Sequence, residues 1–173
     1  MEKNYKYYIE NSLKSEKGIV KKRLLKWGGA LNMCDMRQEE INRIKRTCEN
    51  TVKIYSQNFM DIEHTTVRNF EKIKNEFEKE IERLYLDIEN IIKEKRIMDE
   101  YIKELIPIEQ EFLYLKYRKG YDFNFVAMKM NVSRSQVFRI KAAAIDNLIE
   151  IIKNHENEIF WKLGLFWTFY YLL

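Results

Sequence analysis

Apolar residues in the first third of the chain recur three and four residues apart, the spacing of one buried helical face. They predict one or two short helices up to about Trp27, within YYIENSLKS and IVKKRLLKW. Gly28 and Gly29 predict the end of that helix, because glycine is common where helices stop. Another helix is predicted from about Met36 to the sequence EHTT, with an apolar stripe of Ile41, Ile44, Cys48, Tyr55, Phe59 and Ile62.

The longest periodic run lies between about Val67 and Leu105 and follows the heptad repeat of a coiled coil. Its acidic flanking positions would place Glu94 opposite Asp99 in a parallel homodimer, and like charges repel. An antiparallel pairing with the preceding helix, which carries several bases, avoids that repulsion. An intramolecular helical hairpin and a dimer both remain open. The seam residues are Phe70, Lys74, Phe77, Ile81, Leu84, Ile88, Ile91, Lys95, Met98, Ile102 and Leu105.

Pro107 predicts the end of the long helix and the first turn of the next one. Within FNFVAMKMNVSRSQVFRI, residues 123–140, the spacing predicts two short helices joined by a turn. Ala127 is small where the helices must approach each other. Asn131 suits the left-handed conformation of the turn. The side chains predicted to face inward are Val126, Met130, Val132, Val137 and Ile140.

The second of these helices has a clear predicted start. Ser133 is a favoured N-cap, and Gln136 three residues later completes a capping box. The outward side chains are predicted to read DNA bases, since Arg suits guanine and Gln suits adenine; they are Arg134, Ser135, Gln136 and Arg139. The predicted phosphate contacts are Arg118, Lys119, Lys129, Ser133 and Lys141. Alternatively, Gln136 is occupied by its capping bond and reads no base.

Charge is concentrated in the same region. The whole chain of 173 residues has a formal net charge of +4. Residues 116–141, however, contain seven basic side chains and one acid, Asp122, a local charge of +6. An excess of this size fits the neutralisation of DNA phosphates. The alternative interpretation is a solvated helix surface.

Residues 105–150 resemble region four of bacterial sigma factors, on the sequence LIPIEQEFLYLKYRKGYDFNFVAMKMNVSRSQVFRIKAAAIDNL. The resemblance implies a helix ending at Gly120, a two-helix reader of DNA and an Ala-rich exit. With its KKRLL opening and charged middle, the complete layout resembles the small phage-encoded transcriptional regulators of the RinA and ArpU type from Gram-positive bacteria and their prophages. Such regulators act on phage late genes. Phe123 and Phe125 depart from the pattern of the family, as does the pair Met128 and Met130.

These observations predict an all-α protein: N-terminal helices and a long charged helix, as a hairpin or coiled coil, followed by a sigma-region-four-like helix-turn-helix. The expected domains are residues 1–105, 106–153 and 154–173. The predicted function is a sequence-specific DNA-binding regulator, with double-stranded DNA as partner. RNA polymerase and a second copy of the chain are further candidate partners. Two alternatives stay open, a minimal alternative sigma factor and a helical interaction protein that binds no DNA.

The aromatic tail, residues 159–173, is predicted to be too short for a membrane span of about 20 residues. The tail has three alternative roles: packing on the N-terminal helices, self-association, or contact with a membrane surface. An enzyme is not expected, because the sequence has no phosphate loop, nucleophile elbow or Cys/His arrangement. No cofactor or metal is expected either, and the N-terminus and the two cysteines favour a cytoplasmic location.

Overall fold

The computed structural model describes the backbone of residues 2–58 and 64–170 and the side chains of residues 16–54 and 70–157. The described backbone contains no strand, which confirms the predicted all-α class. The side chains of the aromatic tail lie outside the described residues, as do those of Tyr55, Phe59 and Ile62. The elements are α1 (Glu2–Asn58), α2 (His64–Lys103), α3 (Pro107–Leu113), a π-helical turn (Tyr114–Arg118), α4 (Phe123–Lys129) and α5 (Arg134–Tyr170).

The chain forms two compact units. Residues 30–94 make one unit, and residues 1–29 together with residues 95–173 make the other. We call them the hairpin unit and the composite unit. The predicted boundaries follow residues 105 and 153, whereas these units combine separate parts of the chain: Val20, Leu24 and Trp27 share a core with residues of the C-terminal part.

In the hairpin unit, the two long helices α1 and α2 pack against each other. Ile41 and Leu84 are fully buried. Arg37 lies 3.7 Å from Asp87, and the Lys45 ammonium donates to the hydroxyl of Tyr85 at 3.3 Å. These contacts belong to an intramolecular pairing, one of the two predicted alternatives. The dimer stays a prediction.

The composite unit contains the larger apolar core. Helix α1 contributes Val20, Leu24 and Trp27, which are spaced three and four residues apart and lie on one face. Burial of each large apolar side chain contributes about 1.5–3 kcal/mol, so this stripe stabilises the packing of α1 on the unit. The fully buried side chains of the other helices are Phe112, Leu113, Val126, Val137 and Leu148, with Met98 nearly as covered.

The glycine pair does not end a helix, so that prediction is wrong. Helix α1 continues through Gly28 and Gly29 to Asn58. The reason lies in a neighbouring segment: a Cβ atom at Gly28 would stand 2.0 Å from the carbonyl oxygen of Tyr117 and 2.6 Å from its carbonyl carbon. Glycine in a helix interior costs roughly 1 kcal/mol relative to alanine. Here the cost is offset because only a residue without a side chain lets the two backbones approach.

The backbone that meets Gly28 belongs to the π-helical turn. The Lys119 N–H donates to the Tyr114 carbonyl, five residues back, at 3.0 Å. The helix then stops at Gly120, whose φ of +71° lies in the left-handed region that glycine tolerates. The sigma-like pattern placed the helix end correctly at this glycine, but it did not indicate a π-helical turn.

Polar side chains next to Gly28 and Tyr117 stabilise the contact between the two backbones. The Trp27 indole N–H donates to Asp99 at 2.7 Å, and Lys95 donates to the other oxygen of the same carboxylate at 2.5 Å. The Arg118 guanidinium lies over the Trp27 ring, 5.6 Å from its centroid. Burial acts to raise the pKa of Asp99, but the hydrogen bonds from Lys95 and Trp27, with the charges of Lys95 and Arg118, outweigh it and leave that pKa lowered.

The segment between α2 and α3 follows the prediction from Pro107. Helix α2 ends at Lys103, and Pro107 occupies the first turn of α3. The side-chain amide of Gln110 donates to the carbonyls of Lys103 at 3.1 Å and Leu105 at 2.6 Å. These bonds satisfy carbonyls that the end of α2 leaves open. The long helix is therefore closed by the first turns of α3.

We expect Gly28→Ala to lower the free energy of unfolding by about 1–3 kcal/mol, because the new methyl group meets backbone atoms that cannot rotate away. The matched control is Gly29→Ala, where nothing lies within 4 Å of an added Cβ. That substitution should raise the free energy of unfolding by about 0.4–1 kcal/mol. Urea denaturation followed by circular dichroism measures both. Equal stabilisation by the two alanines would contradict the close approach at Tyr117.

We also expect Asp99→Asn to lower the free energy of unfolding at neutral pH by roughly 0.5–1 kcal/mol, because the Lys95 ion pair is lost. The pKa of Asp99 is lowered from its ordinary value of 3.8. Its stabilising contribution is therefore complete above that pH and disappears as the pH falls through the folded-state pKa. Denaturation at neutral and acidic pH should show the gap between wild type and variant closing in acid. A constant gap would contradict the role of the charge.

Candidate nucleic-acid interface

Helix α4 begins at a capping residue that the sequence analysis counted only as an acid. Asp122 precedes the helix in an extended conformation, and its Oδ1 accepts the N–H groups of Asn124 at 2.8 Å and Phe125 at 2.9 Å. These two backbone bonds are the main reason that the pKa of Asp122 is lowered, with further help from Lys116 and Arg134. The sequence signal for this cap is an Asp, a favoured N-cap residue, directly before the first residue of the predicted helix.

The turn between α4 and α5 has the predicted conformation. Asn131 has a φ of +53°, in the left-handed region where Asn is the best substitute for glycine. The Val132 N–H reaches back to the carbonyl of Ala127 at 3.0 Å, across the turn. Ala127 is buried, at 7% exposure, as a residue between closely approaching helices must be.

The inner faces of α4 and α5 also follow the prediction. Val126 and Val137 are fully buried. Met130, Val132 and Ile140 pack against the same core and are partly buried, so Val132 is less covered than expected. The short connection and the buried contact fix the direction in which α5 leaves the turn.

Helix α5 starts with a reciprocal cap. The Gln136 N–H donates to Ser133 Oγ at 3.3 Å, and the Ser133 N–H donates to Gln136 Oε1 at 2.7 Å. This is the predicted capping box. The Gln136 side chain uses its oxygen in the cap, while its NH2 group remains on the exposed surface. The capping bond therefore occupies the side-chain oxygen of Gln136, and its two N–H donors remain open to a base.

The four predicted base-reading residues are all exposed: Arg134, Ser135, Gln136 and Arg139. They do not form one narrow row. At about 100° per residue, Ser135 and Arg139 share the outermost face of α5, while Arg134 and Gln136 lie on opposite flanks. The neighbours of Arg139 on that face are small and exposed, namely Ser135, Ala142 and Ala143. They leave its guanidinium open to a ligand.

The predicted phosphate contacts are in different situations. Lys119 and Lys129 are exposed, over the rings of Tyr114 at 5.5 Å and Phe125 at 5.4 Å. Both ammonium groups therefore sit at the surface, and neither forms an ion pair with a carboxylate of the described residues. Ser133 is engaged in the cap of α5.

Arg118 and Lys141 are more enclosed than the other predicted phosphate contacts. Arg118 is half-buried over the Trp27 ring, where it also supports Asp99, and so has an intramolecular role. Lys141 is half-buried and lies 4.9 Å from the centroid of the Phe123 ring. The exposed basic surface of the α4–α5 region therefore does not include Arg118. It consists of Lys119, Lys129, Arg134 and Arg139, with Lys141 at its edge.

An aromatic pair beside α5 was missed by the sequence analysis. The rings of Phe123 and Phe138 lie 4.9 Å apart, and Phe138 is 42% exposed. Three bases surround the pair: Lys116 is 4.7 Å from the Phe123 centroid, and Arg134 is 5.9 Å from that of Phe138, with Lys141 near both. The unusual aromatic residue at the start of α4 was the only sequence signal for this arrangement.

No family model, curated protein or solved structure matches this chain. The described helices include none with the length and apolar character that crossing a membrane requires. The function is therefore inferred from the geometry and charge of the α4–α5 region.

We expect Ser133→Ala to lower the free energy of unfolding by about 1 kcal/mol, because α5 loses the acceptor for one of its first N–H groups. Ser135→Ala is the matched control, since Ser135 contacts only the Ser133 hydroxyl, at 3.0 Å, and accepts no backbone N–H. Its effect should stay within about 0.5 kcal/mol. Urea denaturation measures both, and a loss of equal size at Ser135 would contradict the capping role of Ser133.

Proposed function

We propose that the protein is a sequence-specific DNA-binding regulator of transcription, in which the first turns of α5 enter the major groove as the second helix of a helix-turn-helix. The observation that carries the proposal is the setting of Arg139. Its guanidinium stands among small side chains on the exposed face of a capped helix. No carboxylate of the described residues forms an ion pair with it.

The charge around α5 supports this proposal. Residues 116–141 carry a local charge of +6. Their one acid, Asp122, has its Oδ1 occupied by two backbone N–H groups at the start of α4. Its carboxylate also attracts Lys116 and Arg134, but one negative charge offsets only one of the seven positive charges, and a polyanion supplies the rest. Release of counterions from DNA by such a surface contributes much of the affinity.

The chemistry of the outward residues fits base recognition. Arg139 offers a planar fork of donors that matches O6 and N7 of guanine. Gln136 retains two N–H donors, because its capping bond uses the oxygen alone. Ser135 and Arg134 are exposed on either side of these positions. We assign base reading first to Arg139, and supporting contacts to the other three.

The biological role that we propose follows the sequence resemblance. A regulator of the RinA and ArpU type would act in the cytoplasm of a bacterial cell on phage late genes. The N-terminal helices would then hold a second copy of the chain or contact RNA polymerase.

We expect Arg139→Ala to weaken binding to the selected DNA sequence by about 1–3 kcal/mol, because a bidentate base contact is lost. Binding to random DNA should change much less. The matched control is Lys129→Ala, which removes an exposed base from α4 and should reduce affinity for both DNAs by the same factor. Gel-shift titration of the wild type and both variants gives these affinities. Each protein is titrated against a sequence selected from a random pool and against random DNA.

Salt dependence separates DNA binding from the alternatives. Affinity of a DNA-binding protein should fall steeply between about 50 and about 200 mM salt. Absence of any shift at either salt would contradict the proposal and favour a helical interaction protein. Equal losses on selected and random DNA for Arg139→Ala would contradict its base-reading role. Promoter-specific runoff transcription with core RNA polymerase would instead identify a minimal sigma factor.

A further inference from the structure

Helix α1 crosses α5 within the composite unit, although the two are far apart in sequence. Lys17 pairs with Asp146 at 2.7 Å on one flank of α1, and Glu16 pairs with Lys153 at 2.9 Å on the other. Asp146 and Lys153 are seven residues apart, on the order of 10 Å along α5, whereas their partners are adjacent. These pairs place α1 across α5, and Arg23 pairs with Glu156 further along both helices at 3.6 Å.

One flank of α1 faces the beginning of α5 and the π-helical turn. Lys17, Lys21 and Gly28 share this flank, because they are spaced four and seven residues apart. Lys17 contacts Asp146, and Gly28 meets the backbone of Tyr117. Lys21 lies between these two anchors on α1. Its side chain is exposed.

Two further lysines converge on the same place from other elements. Lys116, from the π-helical turn, lies 4.7 Å from the centroid of the Phe123 ring, and Lys141, from α5, lies 4.9 Å from it. Burial lowers the pKa of Lys141, and the like charges of Lys21 and Lys116 lower it further. Two ammonium groups, those of Lys116 and Lys141, thus lie over one aromatic ring, and the like charge of Lys21 on α1 acts on Lys141.

The acids nearby have other partners. Asp146 is paired with Lys17, and Asp122 accepts two backbone N–H groups at the start of α4. Among the described residues, no carboxylate lies within ion-pair distance of Lys21, Lys116 or Lys141. Lys116 donates to the carbonyl of Tyr121 at 2.9 Å, which holds it in position without neutralising it. Apart from the attraction of Asp122 for Lys116, the arrangement leaves the compensation of these positive charges to a ligand.

We propose that Lys21, Lys116 and Lys141 together bind a phosphate group of the DNA backbone beside the groove that α5 occupies. This inference rests on the proposed function and adds α1 to the DNA-binding surface. A phosphate accepts charge-assisted hydrogen bonds from several ammonium groups at once and removes their repulsion. The cluster lies on the flank of α5 that carries Arg134 and Phe138, and the flanks of a helix in the major groove face the sugar-phosphate strands.

The test compares Lys21→Gln with Lys22→Gln, two adjacent exposed lysines of α1. Lys22 points away from the flank that holds Lys17 and Gly28. Its substitution therefore removes the same charge and leaves the cluster intact. Fluorescence anisotropy with a labelled duplex of the selected sequence, and with a random duplex, gives affinity over a range of salt. Lys21→Gln should weaken both duplexes several-fold and reduce the slope of log affinity against log salt by about 0.9. Lys22→Gln should leave that slope unchanged, and Lys21→Arg should restore it.

The outcomes separate this inference from the proposed function. If the wild type binds the duplex with a salt-dependent affinity and the two glutamine variants behave alike, the cluster does not bind phosphate while the proposed function stands. A loss at Lys21 that is confined to the selected sequence would also overturn the phosphate role. Failure of the wild type to bind either duplex would overturn both proposals. Thermal melting of each variant should match the wild type, because both lysines are exposed.

Discussion

The composite unit depends on one close approach between two backbones. The chain at Gly28 lies so near the carbonyl of Tyr117 that a Cβ atom would be 2.0 Å from its oxygen. This contact brings α1 against the π-helical turn that precedes α4. It also fixes where α1 lies across α5, since the same flank of α1 reaches Asp146 through Lys17. A helix interior that would ordinarily disfavour glycine requires it here.

The surrounding polar contacts also hold α1 against the π-helical turn. Trp27 donates to Asp99, and Arg118 lies over the Trp27 ring, so the residues beside the close approach are joined in turn to α2 and to the π-helical turn. Arg118, which lies next to the candidate interface, therefore makes intramolecular contacts. Position in a basic window alone therefore does not make a side chain available to DNA, and the exposed Arg139 differs from the half-buried Arg118 in this respect.

The features that the sequence predicted correctly are those that depend on near neighbours. The cap of α5 needs only Ser133 and Gln136, and the left-handed turn needs only the short polar side chain of Asn131. The buried positions of Val126 and Val137 follow from helical spacing. The cap at Asp122 is equally local and was overlooked, because the residue was read as a charge. The continuation of α1 through its glycines was predicted wrongly because its cause is almost ninety residues away in sequence.

By itself, then, the sequence determined the helical class, the turn between α4 and α5, its cap and its outward side chains, since hydrogen bonds and spacing within a few residues decide them. The tertiary structure alone decided that α1 is unbroken, that the turn before α4 is π-helical, and that Arg118 stacks on Trp27. It alone brought Lys116 and Lys141, from different elements, to the same Phe123 ring. The physical reason is that these features arise where distant segments meet, and the pattern of either segment does not contain the shape or charge of the other.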